Sequence, residues 1–181
     1  MDIYDIIKSR RSIREFKSDT IDDPTLKRIM DAAMWAPSAL NSQNWKFHVM
    51  TGEKRNRFAV LLKPIFDHMK DTIQKNYGPK DVEIRRKLYM NAGDAPVIIV
   101  CYAEDAWNGD LVGPGMACQN ILLAATREGL GSLFIGSVRY VKDSVNEFLG
   151  EKDLFLVGAI LLGKPKLIPE PRPRRDGRVV W

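Results

Sequence analysis

Residues 10 to 14 read Arg10-Arg11-Ser12-Ile13-Arg14, three guanidiniums and a hydroxyl within five positions. Arginine presents a planar fork of donors that pairs two oxygens of one anion, and it stays charged at any working pH. A hydroxyl beside it fills a remaining acceptor site. The chemistry this density suits is the capture of a small, doubly charged phosphate. Taken alone, a basic run in a globular chain is more often a solvated face or a partner-binding patch. A second basic set closes the chain, where Arg172, Arg174, Arg175 and Arg178 are interleaved with or follow Pro169, Pro171 and Pro173.

A chain of 181 residues with 45% hydrophobic content has the makings of one domain with a sizeable core. The pI near 9.2 would suit a polyanionic surface, but the charge is localised. The stretch from Gly163 to Trp181 carries +4 of the chain's +5, which leaves the body nearly neutral. No Lys/Arg helical stripe with interleaved aromatics is present, so no nucleic-acid partner is expected. Cys101 and Cys118 both lie in apolar runs and read as small buried hydrophobes rather than ligands or a disulfide. His48 and His68 are isolated, so a zinc site would lack ligands and no metal is expected. The amino terminus has acidic residues at positions 2 and 5 and no apolar signal region. The longest apolar run, Leu154 to Leu162, is too short to span a bilayer. A cytoplasmic protein with no membrane partner is the expectation.

The elements that must position these residues follow from periodicity. Residues 1 to about 9 read as a short amphipathic helix delivering the arginines. Asp22-Asp23-Pro24 caps a helix reaching Trp35, which Ala36-Pro37-Ser38 breaks. Lys46 to Thr51 alternates as a strand. Residues 53 to about 76 are helical with a kink expected at Pro64, and a further helix spans about 81 to 92. Val97 to Ala103 is a continuous apolar run, as a strand buried on both faces would show. The segment from Gly115 to Arg127 is apolar nearly all round and suits a central or interface helix. A short strand from Ser132 to Ile135, a helix at 141–149 and a strand from Leu154 to Leu162 complete the body. The proline-rich tail can only run extended and is ill suited to folding back on its own globule. Few connections look like right-handed crossover units, so the expected fold class is α+β with a central mixed β-sheet flanked by helices.

Four segments carry more together than singly: RRSIREF (10–16), APSALNSQNW (36–45), GLGSLFIGS (129–137) and PEPRPRR (169–175). In this order and spacing, with the QNILLAA helix (119–125), the chain resembles the FMN-dependent nitroreductase family over essentially its whole length. The resemblance implies an intertwined homodimer with an extended C-terminal arm. Residues 1–162 would form the flavin-binding domain, and 163–181 an arm packing on the partner subunit. The arm and the all-round apolar helix give the dimer independent support.

The resemblance also implies roles. Arg10, Arg11 and Ser12 would hold the FMN phosphate, and Arg14 would lie nearer the ribityl chain and ring, where a cation stabilises a ring edge that becomes anionic on reduction. Pro37, Ser38 and Ala39 would lie beside the isoalloxazine and Asn41 near the ribityl chain, contributed from the partner subunit. The Ile135–Gly136 backbone would meet the ring's other side, and Arg172 and Arg174 on the tail would complete the phosphate site. No side chain is assigned a catalytic step, since the chemistry would occur at flavin N5. The implied activity is ping-pong: NADH or NADPH reduces FMN, and a nitroaromatic, quinone or related electron-poor acceptor reoxidises it. A specialised member (dehalogenase, enal or semialdehyde reductase, or flavin-fragmenting type) and a non-catalytic flavin-binding protein stay open as alternatives. A specialised member would need a substrate lid, for which only the charge-rich stretch between Leu61 and Tyr89 is long enough. Plainer readings also stand: Ser12 as a helix terminator, Gln43 and Trp45 as scaffold, Gly129 and Gly131 as helix stops, and Arg175 and Arg178 as solvated charges. Asn44 occupies a position where family members commonly carry proline, which bears on the stiffness of that loop.

Overall fold

The computed structural model describes residues 2–104 and 111–181. Its helices are α1 (Ile3–Ser9), α2 (Asp23–Met34), α3 (Gly52–Val60), α4 (Lys63–Asn76), α5 (Pro79–Asn91), α6 (Val112–Arg127) and α7 (Lys142–Leu149). Its strands are β1 (Trp45–Met50), β2 (Val97–Ala103), β3 (Gly131–Ile135) and β4 (Phe155–Gly163). Local chemistry sets the boundaries. Asp2 and Asp5 form a reciprocal capping box on α1, and Asp22 accepts from the Thr25 amide at 2.8 Å with proline in the first turn of α2. The expected single helix over 53–76 is two helices. Leu61 and Leu62 turn with tight i−3 bonds to Phe58 and Ala59, and α4 then starts with Pro64 in its first turn. Proline has no amide to donate, so it opens a new helix where it cannot continue the old one.

The four strands order as β1-β2-β4-β3, and all three pairings are antiparallel. The α+β class holds, but the expected mixed pairing is confined to one parallel bridge, Ser12 to Ser132. The reason lies in the connections. The excursion through α3, α4 and α5 leaves from Met50 and returns beside it, with Met50 facing Ile98. The excursion through α7 leaves from Ile135, which faces Ala159. A chain that returns at the end it left by must run antiparallel.

Every residue of β2 is buried, and its alternation feeds two cores. Ile98, Val100 and Tyr102 face a layer containing Phe58, Leu62, Ile65, Ile73 and Leu88 from α3 to α5. Val97, Ile99, Cys101 and Ala103 face Ile29 and Ala33 of α2 and Ala117, Ile121 and Ala125 of α6. Cys101 and Cys118 are both free and buried, and the Cys118 thiol beside it, with burial, pushes the Cys101 thiol far up. One flank of α6 stays open, with Val112 and Met116 exposed.

The start of the tail lies along its own chain. The Lys17 amide donates to the Lys164 carbonyl at 2.8 Å, and the Lys166 amide donates to the Glu15 carbonyl at 3.0 Å. Beyond it, Val179, Val180 and Trp181 are exposed.

Two glycines once read only as helix stops have different tasks. Gly129 takes φ +73° just past α6 and does end it. At Gly131 a Cβ would sit 2.7 Å from Ile13, so this residue admits the arginine-bearing segment onto β3. Gly131→Ala is expected to cost about 1–3 kcal/mol, read from urea unfolding midpoints, because buried Ile13 has no room to retreat.

Buried Glu151 accepts from Lys46 at 2.8 Å and lies 2.5 Å from His48 Nε2. The Lys46 bond first, then His48, hold its carboxyl below the ordinary 4.5. A depressed carboxyl contributes stability above its ordinary value and loses it as pH falls through the folded value. Glu151→Gln is therefore expected to lower the thermal midpoint at neutral pH, with the gap to the unsubstituted protein closing as pH drops below the ordinary carboxylate range.

Candidate functional site

The helix α1 ends at Ser9, and Arg10 turns the chain into an extended path. Two buried side chains pin that path, Ile13 and Phe16. The Ile13 amide donates to the Ser132 carbonyl at 3.0 Å, and the Phe16 amide to the Gly93 carbonyl at 2.8 Å. Before and between these anchors Arg10, Arg11, Ser12 and Arg14 are half-buried along one wall of a cavity of about 260 Å³. The tail supplies a second wall through Pro169, Glu170, Pro171, Arg172 and Arg174. Tyr77, Asp81 and Arg85, from the turn before α5 and its first half, close the third side.

Six arginines thus converge on one cavity: Arg10, Arg11, Arg14, Arg85, Arg172 and Arg174. None forms an ion pair among the described residues, although other surface cations do, such as Arg28 with Glu128 and Arg86 with Glu83. Their internal bonds are to carbonyls: Arg11 Nη1 donates to Lys8 and Arg10, and Arg14 Nη1 donates to Ser12. Arg11 Nε and Arg85 Nε are buried donors with no acceptor. Such donors cost free energy unless something outside the chain satisfies them. Arg85 stacks over the Tyr77 ring at 3.8 Å, with Arg172 at 5.9 Å from the same ring.

The charges oppose one another. Burial first, then Arg174 and Arg11, lower the pKa of Arg10. Burial, then Arg85 and more weakly Arg172, lower that of Arg14, against partial relief from Tyr77 and Asp81. A bound dianion would offset this repulsion and supply acceptors for the orphaned donors.

Six of the expected site residues therefore meet in one place: Arg10, Arg11, Ser12, Arg14, Arg172 and Arg174. Ser12 lies beyond the end of α1, so helix termination is not its role. The other six do not line that cavity. Pro37, Ala39 and Asn41 are exposed and Ser38 half-buried, on a loop whose Leu40, Asn41 and Gln43 all adopt left-handed φ. Ser38 Oγ accepts from the Gln43 amide at 2.8 Å, and Gln43 Nε2 donates to Asn41, so Gln43 braces the loop. Leu40 at its tip is fully exposed. Ile135 ends β3 buried, and Gly136 lines a separate cavity of about 500 Å³ with Met69, Ser137, Arg139 and Tyr140.

Sequence reasoning missed Tyr77 and Arg85. No local signal marked Arg85: Asp81 stands at i,i+4 from it on the same helix, as in an ordinary surface pair, while Glu83 pairs with Arg86 at 2.8 Å.

Comparison with known proteins places this geometry. A model of the nitroreductase family matches residues 7–164. A protein of Archaeoglobus fulgidus, provisionally named an NADH dehydrogenase/NAD(P)H nitroreductase, is 31% identical over 173 residues, covering 89% of this chain and 84% of the relative. A protein of Methanothermobacter thermautotrophicus with the same provisional name is 32% identical over 143 residues, covering 75% of this chain but 61% of its own length. Among solved structures, an FMN and NADPH-dependent nitroreductase from Sphigopyxis sp. strain HMH superposes with a TM-score of 0.82 over 100% of this chain and 99% of that one, and at 20% identity the likeness is one of fold. With the family's model spanning three of the four motif-bearing segments, all but the tail, the chain belongs to the nitroreductase family.

Proposed function

We propose that this chain is an FMN-dependent NAD(P)H oxidoreductase that reduces nitroaromatics, quinones or related electron-poor acceptors in a ping-pong, two-electron cycle, working as a homodimer. The observation that carries this reading is the convergence of six guanidiniums, none of them in an ion pair among the described residues, against two lining carboxylates, Asp81 and Glu170. The residues present fit the phosphate end of FMN: buried Arg11 Nε and Arg85 Nε lack acceptors, which phosphate oxygens supply. Names of relatives support the reductant and the acceptor class. Proteins called NAD(P)H nitroreductases recur, and a nitrobenzene nitroreductase of Ectopseudomonas oleovorans is 27% identical.

Within this reading each segment has a task. Arg10, Arg11, Ser12, Arg172 and Arg174 bind the phosphate, and Arg14 places a cation next along the wall toward the ring. Pro37, Ser38, Ala39 and Asn41 serve a partner subunit's flavin, and Ile135–Gly136 offers backbone to the ring. A fully exposed leucine on a loop with three left-handed non-glycine residues supports the partner assignment, because a covering surface would offset both costs. Met34, Trp35, Val112 and Met116 are exposed on α2, α6 and the turn between α2 and that loop. Ser38 packs on Gly113 of α6, which ties the loop to the open α6 flank. Bound FMN takes two electrons from a nicotinamide and yields them to the acceptor, so the chain's work is to bind, orient and leave one ring face open. No helix among the described residues is long and apolar enough to cross a membrane.

The purified protein is expected to be yellow and dimeric, or to become yellow on reconstitution with FMN. Anaerobic titration with NADH and with NADPH should bleach the flavin absorbance, and menadione should restore it. A protein that takes up no FMN removes the reading, and one that binds FMN but is not reduced by either nicotinamide is a flavin carrier. Arg10→Ala and Arg174→Ala are each expected to weaken FMN binding by about 10- to 100-fold, the worth of one charged hydrogen bond, as read by flavin fluorescence.

A further inference from the structure

Buried Arg55 on α3 lies outside the cavity and forms no ion pair among the described residues, with the charge of Asp94 acting on it from nearby. It spends its donors on one turn. Nε donates to the Ala95 carbonyl at 2.7 Å, Nη2 to the Asn91 carbonyl at 2.6 Å, and Nη1 to Asn91 Oδ1 at 3.0 Å, with Asn56 Oδ1 also at 3.0 Å. The turn it grips is strained: Ala92, Gly93 and Asp94 all take left-handed φ, at +50°, +59° and +67°.

Both walls of the arginine cavity hang from that turn. On one side Gly93 is pressed against the Arg14 carbonyl, where a Cβ would come within 2.2 Å, and its own carbonyl accepts the Phe16 amide. On the other, Asn91 Nδ2 donates to Asp94 Oδ1 at 2.9 Å, and Asp94 Oδ2 pairs with Lys166 of the tail at 2.9 Å. The Lys166 bond first, and Asn91, hold the Asp94 carboxyl below its ordinary range. The Lys166 amide in turn reaches Glu15, beside Arg14. A chain of bonded groups therefore runs from Arg55 through Asn91 and Asp94 to the tail, and a second runs from Arg55 through the turn backbone to Arg14.

The structure assigns Arg55 as the positioning residue that sets the spacing between the two halves of the phosphate clamp, the 10–14 segment and the tail bearing Arg172 and Arg174. This rests on the reading of the arginine cavity as a phosphate site. Only the guanidinium fork satisfies the Asn91 carbonyl, the Asn91 side chain and the Ala95 carbonyl together; a lysine ammonium keeps the charge but not that geometry. Losing the fork lets the strained turn relax, and Arg14 and Lys166 move with it.

The test compares FMN with riboflavin, which lacks the phosphate, by fluorescence titration of the unsubstituted protein, Arg55→Lys and Asp94→Asn. The expected result for Arg55→Lys is FMN affinity weakened by about tenfold with riboflavin affinity changed by no more than about twofold, the range for groups that orient a binding shell. Asp94→Asn cuts only the tail branch, keeps a residue tolerant of left-handed φ, and should lower the FMN-to-riboflavin preference by about threefold. Should Arg55→Lys fail to fold, Asp94→Asn decides. Variants that keep the parent protein's FMN-to-riboflavin preference overturn the assignment of Arg55 while leaving the clamp reading intact. A parent protein that binds both flavins equally overturns the clamp reading, and the assignment with it.

Discussion

Like charges brought together in a half-buried cavity repel, and a fold that holds them there must supply the restraint from elsewhere. That constraint organises this molecule. Arg10, Arg11, Arg14, Arg85, Arg172 and Arg174 come from three separate stretches of chain and outnumber the two carboxylates, Asp81 and Glu170, that line the same cavity. They stay in place because their backbones are fixed by buried apolar anchors and close backbone contacts, with the Lys166–Asp94 pair tying down the start of the tail. Ile13 and Phe16 are buried as anchors, Gly131 and Gly93 permit contacts that any side chain would block, and the β3 carbonyl of Ser132 receives the Ile13 amide. The repulsion is then a reserve of binding free energy, released when a dianion enters.

The two-sided sheet supplies the rigidity. β2 is buried throughout and separates two apolar layers, so its ends, and the turns attached to them, have little freedom. The turn before β2 carries Gly93 and Asp94, and the strand-end Gly163 of β4 leads directly into the tail. The arginine-bearing 10–14 segment and tail are thus tied to the same end of the same sheet. The α2 and α6 layer has the opposite character: its inner face is packed, while Trp35, Leu40 and Val112 stand in solvent. A molecule with a finished anion cavity on one side and an unfinished apolar surface on another is suited to completing its site by association.

Much of this was legible in the sequence because it depends on local rules. Asp22 with Pro24 announced α2, the unbroken VIIVCYA run announced a strand covered on both faces, and the amino-terminal and tail motifs named six residues that line one cavity. The errors share a cause, which is geometry set by distant parts of the chain. Helix period alone could not show that α3 and α4 separate before Pro64. Nor could it show that long helical excursions return to the strand end they left, which makes the sheet antiparallel rather than mixed. Gly131 looked like a second helix stop because its neighbour Ile13 is more than a hundred residues away in sequence. Arg55 carried no signal at all, since its value lies in three acceptors on a turn some forty residues further on. The tail was legible as extended and basic, but its pairing with residues 15 to 17 was not.

The central claim is that one phosphate sits among these arginines as a dianion. Phosphorus NMR of the FMN-loaded protein across a pH series measures this directly. A free phosphomonoester takes up its second proton near about pH 6. Held by several guanidiniums, the bound phosphate should keep one chemical shift from about pH 8 down to about pH 5, because each neighbouring cation favours the doubly charged form. A bound signal that titrates at the free value would show that the arginine cavity does not hold the phosphate and would contradict the account.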